Sequence, residues 1–492
     1  MAGIGVKLNK IYSKNTITTS LVGFGYSTVI TIAPMILIIG AIVLMQLILG
    51  YSKLDYINRD LYACTVLYIF IFGLTACSPF NAVLSRYLSD VIYDEHYDDI
   101  LPCYYVGLLL NTAFGVLLGV PFCIHELVVG KVDFIFVIAG FFGYLALILA
   151  FYSMLFLSIC KDYGKISLYF LFGMVLTVLL SLILVKIFGM DDSLAMLISL
   201  DAGFALTATL EMALIRSYFR ENSGNYKSVF HYFRKFWMLI LTNFFYTVGL
   251  YVHNFVFWTT DLRVVVADTF VNAPPYDMAT CLAMFTNISA VVIFISRMEM
   301  NFHERYKRYY EAVIGGRGMD IKNAKNRLFE QLKHEIMNLV RLQFIITVII
   351  FLVFITFLPM FGFGGLVLQI YPCLAAGYFI MFLLYGLIVF LYYFNDLRGA
   401  LATAMSFCLS TFLVSILSSL LPTIWYGLGL VIGSFIGFTV AYFRLRSIER
   451  NLDIHVFCNG TLLDRGPSRK KPSNIVYDRD SLLDKENAEG AK

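Results

Sequence analysis

The sequence predicts an all-α integral membrane protein of about twelve transmembrane helices in two six-helix halves. Three observations predict it. Charged residues make up 14% of the chain, where a soluble domain carries about 25%. Apolar runs of about the 20 residues needed to cross a bilayer recur along the whole chain. Lys and Arg gather on alternate connections, 32 on one set and 5 on the other. The positive-inside rule places the rich set, and with it both termini, in the cytoplasm.

The spans are read at 20–49, 61–89, 101–124, 133–159, 165–187, 193–218, 236–259, 276–299, 342–362, 366–394, 399–421 and 424–446. Lys7, Lys10 and Lys14 precede the first, whose apolar run continues to Leu49. That is too long for the core of a cleavable signal peptide, so the segment reads as a retained helix. Pro34 and Pro79 each remove a helix hydrogen bond and predict kinks in the first two spans.

A basic loop, 216–235, divides the spans into an N-terminal bundle, 1–215, and a C-terminal bundle, 236–446. An even number of spans per bundle gives both the same orientation. That permits a parallel repeat about an axis along the membrane normal, although the two halves share no evident sequence identity. The tail, 447–492, is cytoplasmic, and from Asp464 onward its charge and its Pro, Ser and Asn content predict disorder. Gly429, Gly433 and Gly437 are spaced by four in the last span. Such a bare helix face lets a neighbouring helix approach closely.

The longest cytoplasmic loop between spans is 300–341. Within it Ile321, Ala324, Leu328, Leu332, Ile336 and Leu339 recur at steps of three and four, an amphipathic helix. Lys322, Lys325, Arg327 and Lys333 decorate its other side. Such a helix lies on the anionic inner leaflet or docks a cytoplasmic partner. Leu328, Leu332, Ile336, Lys322 and Lys325 are the candidate docking residues. The run GGRG at 315–318 lacks the Gly-Lys-Ser/Thr of a phosphate loop and reads as a turn. The acidic tract at 90–99 is either a partner surface or a solvated turn.

Chemistry by side chains is scarce. Nine cysteines include no C-x-x-C pair, and seven histidines include no metal-ligand spacing. No disulfide framework, metal or cofactor is expected. No nucleophile motif, paired catalytic carboxylates or nucleotide-binding loop appears, so the protein is not expected to be an enzyme. What stands out is polarity at membrane depth, which costs several kcal/mol when unsatisfied. Asp201 lies near the middle of span six and Glu211 nearer its cytoplasmic end. Asn243, Tyr246, His253 and Asn254 lie in span seven, and Asn287 in span eight. These seven are the candidate transport path. Either they face water or substrate, or neighbouring helices satisfy them. Aromatic residues, 16% of the chain, suit sugar stacking and helix packing equally.

The N-terminal MAGIGVKLNKI and LVGFGYSTVITIAPMIL, with YVHNFVFWTTD, YDMATCLAMFTNISA and FHERYKRYYEAVIGGRG around the seventh and eighth spans, resemble the membrane subunit of Pel exopolysaccharide export systems, PelG. The resemblance covers roughly residues 1–446. It implies a fold similar to the multidrug, oligosaccharidyl-lipid and polysaccharide flippases, with two six-helix bundles opening alternately to either side. It also implies transport of an N-acetylgalactosamine-rich polymer, a biofilm component, across the bacterial cytoplasmic membrane. The implied partners are a cytoplasmic glycosyltransferase and membrane subunits that include a cyclic-di-GMP receptor; no nucleic acid is expected. No substrate residue carries over by motif. A drug or lipid-linked sugar antiporter of the same fold, and a non-transporting scaffold for the polymerase, remain as alternatives.

Overall fold

Apolar composition over runs of 20 residues and more dictates helices, because only a helix satisfies its own backbone in hydrocarbon. The computed structural model describes residues 17–50, 56–159, 162–297, 302–361 and 364–459. The first half contains α1 (Ile17–Leu49), α2 (Tyr56–Tyr93), α3 (Ile100–Val128), α4 (Phe134–Ile159), α5 (Tyr163–Lys186) and α6 (Asp192–Tyr218). A short helix, α7 (Tyr226–Lys235), lies in the linker. The second half contains α8 (Trp237–Phe257), α9 (Pro274–Arg297), α10 (His303–Gly315), α11 (Gly318–Phe357), α12 (Leu366–Tyr393), α13 (Leu397–Ser418) and α14 (Leu428–Asn459). Ten helices among the described residues are long and apolar enough to cross a membrane. The first and eighth expected spans fall on α1 and α9.

The packing order repeats. In the first half α1 packs on α5, α2 on α3 and α4, and α3 on α4. In the second, α8 packs on α13, α9 on α11 and α12, and α11 on α12. Small residues close both sets. Gly173 of α5 and Gly203 of α6 meet so tightly that a Cβ on either would fall within 2.7 Å of the other's carbonyl oxygen. In the last span Gly433 faces Thr411, whose Cα would lie 2.7 Å from an added Cβ, and Gly429 faces Ser415 in the same way. The glycine spacing therefore marks the α13–α14 contact.

Prolines run inside α1, α2, α3 and α12. Pro79 of α2 leaves the Thr75 carbonyl without its helical donor. The Ser78 hydroxyl donates to it at 3.4 Å. The start of α13 is capped: Asp396 accepts from Gly399 N at 3.1 Å and is held at 2.8 and 2.9 Å by Arg444.

Two features differ from expectation. The loop 300–341 is not a separate surface helix followed by a span. After α10, α11 runs unbroken for 40 residues, about 60 Å at 1.5 Å per residue, from the loop into the ninth span. The connection 261–276 holds a β-hairpin, β1 (Val264–Val266) against β2 (Phe270–Asn272), antiparallel with Val265 opposite Val271. Ala267 and Asp268 turn it at φ of +50° and +53°.

The chain divides into a unit ending at Arg446 and a unit from Ser447 to Lys492. The expected disordered tail from Asp464 lies outside the described residues, as do Lys7, Lys10 and Lys14.

Candidate functional site

The two helix sets meet along one seam, where α2 packs on α8 and α1 on α9. Side chains tie it at several levels, from the β-hairpin end to the linker end. At the hairpin end the Tyr68 hydroxyl donates to the Val271 carbonyl at 2.8 Å and accepts the Val271 amide at 3.0 Å. Its ring stacks on Trp258, 5.3 Å between centroids and 12° from parallel. One turn further along α2, Phe72 stacks on Phe255 at 6.0 Å. Lower in the seam, the Asn243 amide donates to the Ser78 carbonyl at 3.3 Å, while Tyr392 donates to Asn243 Oδ1 at 3.2 Å. At the linker end Arg86 donates to Asn395 Oδ1 at 2.9 Å and lies over the Phe236 ring.

The linker itself is clamped to the first half. Tyr232 donates to Asp90 at 2.9 Å, Ser228 meets Tyr87 at 2.8 Å, and Ser223 bonds Asp99. Burial, followed by the adjacent Asp90 carboxylate, pushes the Tyr232 phenol well above its ordinary range. The acidic tract at 90–99 thus binds the linker of its own chain.

The seven candidate path residues do not share one cavity. Asp201 lies inside the first bundle. Its carboxylate fills the notch left by Gly143 of α4, where a Cβ would fall 2.0 Å from Asp201 Oδ1. Among the described residues that oxygen has no hydrogen-bond partner. Glu211 is fully buried, and among the described residues neither of its carboxylate oxygens has a partner. His253, Asn254, Tyr246 and Asn287 lie inside the second bundle. Only Asn243 sits on the seam. The expectation of a single watery path lined by Asp201 and span seven is corrected accordingly: span seven turns most of its polar groups toward its own bundle, where hydrogen bonds await them.

Those bonds form two clusters. Asn254 donates to Asp277 at 2.7 Å, Trp258 Nε1 donates to both its oxygens at 3.0 Å, and the Ala273 amide donates at 2.9 Å. Next to it His253 Nδ1 pairs with the Tyr276 hydroxyl at 2.9 Å. The second cluster centres on Asn287, which donates to the Tyr378 carbonyl at 3.1 Å and accepts from Gln343 at 2.7 Å. Tyr246 donates to Met381 Sδ at 3.1 Å. Asp277 and Gln343 escaped the sequence reading. Asp277 had a usable signal, since it stands in the first turn of a helix opened by Pro274 and Pro275, where a carboxylate meets free amides.

A cavity of about 180 Å³ does lie beside the seam at the hairpin end. Tyr68, Phe72, Phe122, Tyr144 and Phe270 line it with Glu126, which is 6% exposed. None of the seven candidates lines it.

The proposed docking face is also corrected. Leu328 and Leu332 are 0% and 6% exposed, because α11 packs on α10 and α12 and Phe329 stacks on Phe394 at 5.8 Å. Ile336 is half-buried. Lys322 is exposed, and Lys325 is half-buried. The apolar stripe is the helix's contact with its own bundle.

A family model described as "PelG: Putative exopolysaccharide Exporter (EPS-E)" matches residues 1–457. No curated protein matches the chain. Solved structures that match include a multidrug resistance MATE family transporter of the MOP superfamily in an outward-facing conformation, with a TM-score of 0.59 at 12% identity over 87% of this chain and 96% of that one. An inward-facing conformation of such a transporter gives 0.59 at 10% identity over 86% and 99%. A MOP superfamily transporter from Pyrococcus furiosus gives 0.56 at 12% identity over 86% and 96%. At these identities the likeness is one of fold.

Proposed function

We propose, from the premise that the chain belongs to the exopolysaccharide-exporter family PelG, that it carries a Pel-type, N-acetylgalactosamine-rich polysaccharide across the bacterial cytoplasmic membrane. The observation that supports this reading is the seam. Two helix sets of matching packing order meet along α2 and α8, tied by separate polar and aromatic contacts from the hairpin end to the linker end. A transporter of this design opens one end while the other holds. The Tyr68–Val271 tie and the Arg86–Asn395 tie are suited to that alternation, because each consists of a few hydrogen bonds and ring contacts rather than a wide apolar interface.

The chain works without covalent chemistry, on polymer made by a cytoplasmic glycosyltransferase, in a membrane complex that includes a cyclic-di-GMP receptor. Both termini and the linker end face the cytoplasm, following the split of 32 to 5 in basic residues. The hairpin end faces outward, and the Tyr68, Phe72 and Phe122 rings that line its cavity give an emerging sugar an aromatic surface.

Deleting the gene tests this. Loss of secreted polymer with cytoplasmic synthesis intact supports transport. Loss of synthesis together with secretion would make the chain a scaffold, and normal secretion with new sensitivity to toxic organic cations would make it an antiporter.

A further inference from the structure

A second cavity, of about 260 Å³, lies in the helical hairpin of α10 and α11. Arg305 and Arg308 line it from α10, and Asp320, Asn323, Ala324 and Arg327 from α11. Arg308 pairs with Glu304, and Asp320 is occupied at the start of α11, where it accepts the Arg317 amide at 3.0 Å. Among the described residues Arg305 and Arg327 have no ion-pair partner. Residues 303–327 carry seven Lys and Arg against three acidic residues. The positive-inside rule asks for a number of charges near a span end. It does not ask three guanidinium groups on two helices to line one cavity.

We propose that this cavity binds a soluble phosphate-bearing anion. The guanidinium fork donates two parallel hydrogen bonds to a phosphate, and phosphate offers enough oxygens to engage several such forks at once. Asn323 adds a neutral donor. The other source of phosphate, a lipid headgroup, fits the geometry less well. Asn323 stands 19 residues before Leu342, where the ninth apolar run begins, which is about 29 Å along the helix axis. An occupant would clamp α10 onto a helix that continues unbroken into the membrane.

The inference does not rest on the transport reading, because its test reads binding and not export. The full-length protein in nanodiscs of phosphatidylcholine is titrated calorimetrically with pyrophosphate and with inorganic phosphate. Saturable binding is expected for at least one of them, and about tenfold weaker binding for the double variant Arg305→Gln, Arg327→Gln. Arg341→Gln, outside the cavity, should leave it unchanged. No saturable binding, or equal binding by the double variant, overturns the site. Nanodiscs containing phosphatidylglycerol should bind the probe as well as neutral ones. Displacement by that lipid would assign the cavity to a headgroup and overturn the soluble source.

Discussion

The Tyr68 hydroxyl holds both backbone groups of Val271, donating to its carbonyl at 2.8 Å and accepting its amide at 3.0 Å, across 203 residues of sequence. One side chain of α2 thereby completes the inner edge of β2. The hairpin tip rests on the end of α3, where a Cβ at Gly130 would meet the Ala267 carbonyl oxygen at 2.8 Å. The hairpin therefore belongs in sequence to the second half and in space to the first.

Tyr68→Phe removes both bonds and keeps the ring stack on Trp258. A backbone amide and carbonyl lose their partner, so the cost should be about 1–3 kcal/mol, read as a lower unfolding temperature in detergent. Hydrogen exchange should quicken at 264–272 and not in the Asn287–Gln343 cluster. Unchanged exchange in the hairpin would show that the ring contacts alone hold it.

Orientation is tested with a membrane-impermeant thiol reagent on a background free of native cysteines. Asp268→Cys, exposed at the hairpin tip, should be labelled in intact cells, and Asn326→Cys, exposed on α11, should not. The reverse pattern would invert the protein.

Gly433→Val places a branched side chain against the Thr411 backbone, where even a Cβ would sit 2.7 Å away. Overpacking of this kind costs about 1–3 kcal/mol, and a lower unfolding temperature in detergent should report it. Gly40, with nothing within 4 Å of an added Cβ, should tolerate Ala. Ala favours a helix over Gly, so a similar loss at Gly40→Ala would show that the Thr411 contact is not what sets the cost at Gly433.

These contrasts show what could be read from the sequence. Long apolar runs place helices well, because hydrocarbon leaves the backbone no other choice: span seven, read at 236–259, is Trp237–Phe257. The Gly429, Gly433, Gly437 spacing announces a close contact because only helix geometry puts those positions on one face. The same periodicity misleads at Leu328 and Leu332. It says that a stripe will be covered and not by what, and the chain's own α10 and α12 do the covering. Polar residues were found as types, yet their partners were not, since Asn254 and Asp277 meet only through the fold. The hairpin was hidden by brevity, with two strands of three residues each, VVV and FVN, on either side of the turn at Ala267 and Asp268.

Asp201 and Glu211 bear the last prediction. Insertion scales make an Asp at a helix centre unfavourable by about 2.5–3.5 kcal/mol, and among the described residues no ion pair relieves either residue. The nearest base on the same helix, Arg216, turns to the Tyr105 hydroxyl at 3.0 Å instead. Asp201 Oδ1 and both Glu211 oxygens are buried without a partner. If the two served only to build α6, Asp201→Asn and Glu211→Gln would keep the shape, remove a poorly housed charge, and leave stability equal or higher. Export would then be unchanged. If they belong to the transport cycle, the same variants should insert, unfold at the parental temperature or above, and secrete less polymer; Asp201→Leu should fail as well. The residues are ten apart, about 15 Å along the axis. Independent roles would therefore make the double variant worse by the product of the single effects, whereas one shared path would leave it no worse than the weaker single. Gly143→Ala approaches the question from α4, since its Cβ would displace the Asp201 carboxylate. It should reproduce the Asp201 defect in export without touching Glu211. Parental export by Asp201→Asn, Glu211→Gln and Gly143→Ala alike would take both carboxylates out of the cycle.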